Sequence, residues 1–152
     1  MEVLVIGVGN DYRGDDAAGL IVARRLRELN LPDVRVIESD GEFTRLMEAW
    51  QDAENVILID AMQSGAAPGT IHRFEATEQK LPASVLQSST HAFGVAEAMA
   101  MAQALGRLPR RFIVCGIEGQ HFAMGAPLSA EVARAILTIL AHSLTLVQSL
   151  RP

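Results

Sequence analysis

The residues best suited to chemistry are carboxylates and one imidazole. Asp11, Asp15 and Asp16 follow the first apolar run of the chain, and Asp40 follows the second. Asp60 closes the third run, Glu118 the last, and His91 opens a predicted helix. Two or three carboxylates meeting one imidazole in a single crevice is the donor set of a divalent-cation site. Each residue also has an ordinary reading. Asp15 or Asp16 suits a helix N-cap, but one cap does not account for both, nor for Asp11 beside them. An acid at a strand end, such as Asp60, often caps a loop. His91 follows Ser88, Ser89 and Thr90, any of which can cap the helix and leave the imidazole for another task. The joint placement of Asp16, Asp60 and His91 at one sheet edge is what favours a metal site.

Other candidates point elsewhere. Cys115 sits inside RFIVCGI and reads as a small buried hydrophobe. His72 is mid-strand, His142 lies within the last helix, and both read as structural. His121 belongs to a glycine-rich loop, GQHFAMGAP, suited to a ligand contact or to mobility. Met99 and Met101 are core filler of the helix after His91. No G-x-S-x-G elbow supports a serine hydrolase. Gly7 and Gly9 begin a dinucleotide fingerprint, but its third glycine is replaced by Tyr12, and carboxylates crowd the turn where a pyrophosphate would bind. A phospho-receiver reading fails because Glu118, not lysine, follows the last strand and the sole lysine is Lys80.

The elements that must position these residues alternate in type. VLVIGV at 3–8, VILID at 56–60 and RFIVCGI at 111–117 are short apolar runs, as expected of strands covered on both faces, and VRVIE at 34–38 reads as a further strand. Helices are predicted over about 16–29, 42–51, 92–105 and 128–150. Only nine residues, AMQSGAAPG, separate Asp60 from the strand-like TIHRF at 70–74. A parallel crossover needs a dozen or more, so this strand is expected to run antiparallel. The expected fold is a single α/β domain, a three-layer α/β/α sandwich with a five-stranded mixed sheet whose fourth strand is reversed. Its ligands are expected outside the carboxyl ends of the parallel strands.

Composition narrows the function. The 152 residues hold 18 acids and 13 bases, a net charge of −5, which argues against nucleic acid or an anionic membrane as partner. One cysteine excludes an intramolecular disulfide and a multi-cysteine metal site, and suits a reducing compartment. The N-terminus lacks the basic stretch of a signal peptide. The uncharged run from Ala135 to Leu150 falls short of the ~20 residues that span a bilayer. A cytoplasmic protein is expected.

GVGNDYRGDDAAG at 7–19, ILIDA at 57–61, PGTIHR at 68–73, SSTHAFGVAEA at 88–98 and GIE at 116–118 resemble the maturation endopeptidases of [NiFe] hydrogenases in order and spacing. The resemblance covers nearly the whole chain. It implies a mixed five-stranded sheet between helices and a protease that removes a C-terminal extension from the nickel-loaded hydrogenase large-subunit precursor. The family's metal-contacting residues fall on Asp16, Asp60 and His91, the three singled out above. The implied metal is nickel carried by the substrate, although zinc or cadmium would suit the same donors. A carboxylate, Asp16 or Asp60, would activate water, and a monomer meeting a larger partner is implied. Relatives often carry Asp-Gly-Gly-Thr after the second strand, whereas Asp40 here precedes Gly41-Glu42-Phe43. A protease with its own catalytic zinc and a non-catalytic chaperone or metal sensor for the precursor are the alternatives. The stretches at 75–87 and 119–127 are the expected partner contacts.

Overall fold

The computed structural model describes residues 2–76 and 95–150. Strands β1 (Val3–Val8), β2 (Val34–Ser39), β3 (Asn55–Met62), β4 (Ile71–Glu75) and β5 (Arg111–Glu118) form one sheet in the order β2-β1-β3-β5-β4. All neighbours are parallel except β4, which runs antiparallel to β5. The expected reversal is present, but β4 does not form a hairpin with β3, because β5 lies between them. A short link dictates direction, not adjacency, and its residues need cover only two strand spacings of about 4.8 Å each.

Every residue of β1 and β3 is buried, while the edge strands β2 and β4 are partly exposed. Helices α1 (Ala18–Glu28) and α4 (Ala130–Leu150) cover one face, packing Val22, Leu26, Val132, Ile136 and Ile139 over Val3, Val5, Ile57 and Ile113. Helices α2 (Phe43–Trp50) and α3 (Val95–Ala104) cover the other, where Leu46, Trp50 and Ala98 meet Leu4, Ile6, Leu58 and Phe112. Trp50 and Phe112 meet edge to face at 4.8 Å. Helix α4 has the length and apolarity to cross a bilayer, but one face of it forms part of the core.

The first helix differs from expectation at its start. A single 3-10 turn, Gly14–Ala17, precedes α1, and neither Asp15 nor Asp16 caps it. Close packing explains the abrupt start. A Cβ on Gly19 would lie 2.3 Å from the Ile59 carbonyl oxygen and 2.5 Å from that of Val8. A Cβ on Gly7 would lie 2.4 Å from the Gly19 carbonyl oxygen. The glycines of GVG and AAG therefore let α1 sit directly on β1 and β3. Gly19→Ala adds only that Cβ, and it is expected to lower unfolding free energy by about 1–3 kcal/mol, although alanine is the better helix former. A urea midpoint equal to the wild type's would show that α1 moves off the strands without cost.

Candidate active site

The strand order creates a switch point. From β1 the chain goes outward to β2, then returns past β1 to β3 on the other side. In open α/β sheets the crevice outside the carboxyl ends at such a point receives ligands. Asp16 and Asp60 flank it. Asp16 is fully buried in the 3-10 turn, which packs against β3. Its carbonyl accepts from Asn10 N–H at 3.3 Å, and a Cβ on Gly9 would stand 2.1 Å from the same oxygen, so glycine is needed there.

Asp60 lies one residue beyond the last β1–β3 pair, Gly7 with Ile59, and opposite Gly116 of β5. It is 3% exposed, and its Oδ1 accepts from Ala61 N–H at 2.9 Å. Strand alternation places it on the face of Leu58 and Val56, the one covered by α2 and α3. His91, the third predicted ligand, lies outside the described residues, as do Ser88, Ser89 and Thr90. Among the described residues no three His, Cys, Asp or Glu side chains form a metal-binding group.

The other acids at this edge have different tasks. Asp15 is fully buried, and its Oδ2 accepts from Gln120 N–H (2.8 Å) and His121 N–H (2.9 Å) while Oδ1 accepts from Ser129 N–H (2.7 Å). Burial raises its pKa, but the amides of His121, Ser129 and Gln120 together outweigh that and hold it below the usual carboxylate range. Asp11 takes a two-pronged ion pair from Arg24 (2.7 and 2.8 Å), which holds its carboxyl low. Asp40 accepts from Glu42 N–H and pairs with Arg45. At this edge Asp11 is thus neutralised by a guanidinium and Asp15 is bonded by three amides.

Glu118, the last residue of β5, is 2% exposed. It accepts from Ser64 N–H (2.8 Å) and Ser64 Oγ–H (2.5 Å), and His72 Nε2 lies 3.3 Å away. It fastens the β3–β4 connection, a role that only its place after an apolar run hinted at. Cys115 is buried, and desolvation pushes its thiol up to about 12 despite the opposing charge of Arg73, so it is no nucleophile at neutral pH. The loop after β5 is not loose. Arg13 Nε donates to the Phe122 carbonyl (3.1 Å), Asp15 N–H to that of His121 (2.8 Å) and Gly125 N–H to that of Tyr12 (2.7 Å).

Comparison with known proteins agrees with this architecture. The family model for hydrogenase maturation proteases matches residues 21–146. A provisionally named hydrogenase maturation protease of Methanocaldococcus jannaschii is 32% identical over 141 residues, 89% of either chain. The hydrogenase 2 maturation protease of Escherichia coli is 26% identical over 149 residues, 93% of this chain and 90% of that one. Among solved structures, the E. coli hydrogenase maturating endopeptidase HybD superposes with a TM-score of 0.83 at 22% identity, over 98% of this chain and 93% of that one, which shows the shared fold. The [NiFe] hydrogenase maturation protease HybD of Thermococcus kodakarensis gives 0.72 at 25% identity, over 97% and 99%.

Asp15 carries a pH signature. Its lowered folded pKa adds stability that is fully present above the unfolded value of about 3.9 and is lost as pH falls through the folded value. Asp15→Asn turns an NH₂ toward at least one amide donor and is expected to cost about 2–3 kcal/mol near pH 7. Thermal melts from neutral to acid pH should show a shallower loss of Tm for the variant. Parallel curves would mean that Asp15 titrates alike in both states.

Proposed function

The chain belongs to the hydrogenase maturation protease family, and from that premise we propose that it removes the C-terminal extension of a nickel-loaded [NiFe] hydrogenase large-subunit precursor. The observation that supports this most is the family's match over residues 21–146, on a fold whose switch point is flanked by two buried aspartates. Nickel arrives with the precursor, held by the precursor's own thiolates, and is substrate rather than resident cofactor. Asp16, Asp60 and His91 meet it there and hold the polypeptide in register. Mixed oxygen and nitrogen donors also suit zinc or cadmium, so these ions are expected to compete.

Cleavage adds water across the scissile amide. Nickel held against Asp16, Asp60 and His91 would supply Lewis acidity at the carbonyl oxygen or at the water. A buried carboxylate of this chain, Asp16 or Asp60, takes a proton from that water as general base. The buried thiol of Cys115, pushed up to about 12, has no part in bond breaking.

Mass spectrometry of a nickel-loaded precursor incubated with the protein tests the reading directly. The wild type should remove the extension, whereas Asp60→Asn and His91→Ala should slow cleavage by about 10²-fold or more. An unchanged precursor mass with the wild type overturns the protease assignment, and wild-type rates in both variants overturn the site. Stoichiometric zinc in the protein as isolated would transfer the metal from substrate to enzyme. Cys115→Ala should cleave within about twofold of the wild type while unfolding at a lower temperature, because it leaves a small cavity in the core.

A further inference from the structure

Tyr12 and Met124 are 74% and 72% exposed, the highest values among the large hydrophobic residues described. They lie more than a hundred residues apart in the chain, yet the Gly125 N–H···O=C Tyr12 bond of 2.7 Å joins their segments into one surface. Single exposed apolar side chains are ordinary, and Met101 and Leu137 on the outer faces of α3 and α4 are of that kind. The Tyr12–Met124 pair differs in its support. Below it the fully buried carboxylate of Asp15 collects three amides of the loop and of the start of α4, and Arg13 grips the Phe122 carbonyl. Gly14, at a φ of +56°, lets the turn approach the His121 carbonyl, where a Cβ would stand 2.3 Å away. Burying a carboxylate is expensive unless it is fully bonded. Here it holds in place a loop whose tip presents methionine to solvent.

We propose that Tyr12 and Met124 form a preorganised apolar docking knob for the polypeptide substrate, beside the turn that carries Asp16. The proposal rests on the protease reading above, since a peptidase must hold chain on at least one side of the bond it cuts. The segments of Tyr12 and Met124 both leave the carboxyl edge of the sheet, four residues before Asp16 and just after β5, so chain flanking a bond held at that edge can reach the knob. Tyrosine supplies rigid area, and methionine moulds itself to an irregular apolar segment. Because backbone bonds already order both segments, little conformational freedom is lost on binding. The occupant is thus a segment of the precursor with apolar side chains, contributing affinity rather than rate.

The double variant Tyr12→Ser, Met124→Gln keeps the backbone carbonyl of Tyr12 and touches no group placed in the cleavage chemistry. With a nickel-loaded large-subunit precursor that the wild type cleaves, KM should rise about tenfold or more, with kcat within about twofold and Tm unchanged. An unchanged KM overturns the knob while leaving the protease reading intact. If the wild type does not cleave, surface plasmon resonance with the same precursor decides. Wild-type binding that the double variant loses sustains the knob alone, and equal binding by both, or none by either, overturns it. A wild-type dimer that the double variant dissolves into monomers, seen by sedimentation, would assign the surface to a second copy of this chain and overturn the proposal.

Discussion

One buried carboxylate organises the carboxyl edge of the sheet. Asp15 accepts three backbone N–H groups, two from the loop after β5 and one from the residue that precedes α4. Ser129, whose N–H is one of the three, accepts from Val132 N–H through its own hydroxyl and so starts α4. A single side chain thereby joins the turn after β1, the loop after β5 and the longest helix. A charge withdrawn from water is tolerable only when such donors replace its hydration. The same bonds fix the backbone of its neighbour Asp16. Of the two adjacent aspartates, Asp15 thus immobilises the turn in which Asp16 sits buried.

Glycines set the second constraint. Gly7 and Gly19 bring β1 and α1 into backbone contact, and Gly9 admits the carbonyl of Asp16. These positions imitate the start of a dinucleotide fingerprint because the geometric need is shared, namely a tight exit from a buried strand into a helix laid over it. What differs is the electrostatics. A nucleotide fold leaves amides at this turn to receive phosphate, whereas here the Asp15 amide is bound to the His121 carbonyl and carboxylates occupy the turn. Backbone shape alone would not separate the two functions, but the acids do.

The strands were legible because parallel strands covered on both faces must be apolar throughout, as VLVIGV and VILID are. The reversed β4 was legible from the length of its link, though its neighbour was not, since β5 arrives from much later in the chain. Asp60 was legible as an acid ending an apolar run. The cap expected of Asp15 or Asp16 is not formed, and the partners of Asp15, Gln120, His121 and Ser129, lie more than a hundred positions away and leave no local pattern. The ion pair of Asp11 was illegible for a similar reason. Its partner Arg24 shares a network with Glu38 and Arg27 that forms only when α1 lies beside the end of β2. Spacing along the chain reports which acids reach the edge, and tertiary pairing decides which of them are neutralised there.

That neutralisation bears on selectivity. Four carboxylates gathered at one edge with no counter-charges would repel each other, raise one another's pKa values and attract any divalent ion. In this fold Asp11 and Asp40 are matched by arginines, and Asp15 and Glu118 by amides, a hydroxyl and a histidine. The edge is thereby kept from acting as a general cation trap, even in a chain of net charge −5. Asp16 and Asp60 are the buried aspartates at the switch point, and two carboxylates are too few donors to close the coordination shell of a transition ion. Further donors must come from elsewhere in the chain or from the molecule that brings the ion. Under the proposed function those further donors are the precursor's own thiolates, and such a division of ligands would let the protein tell a metal-loaded partner from an empty one.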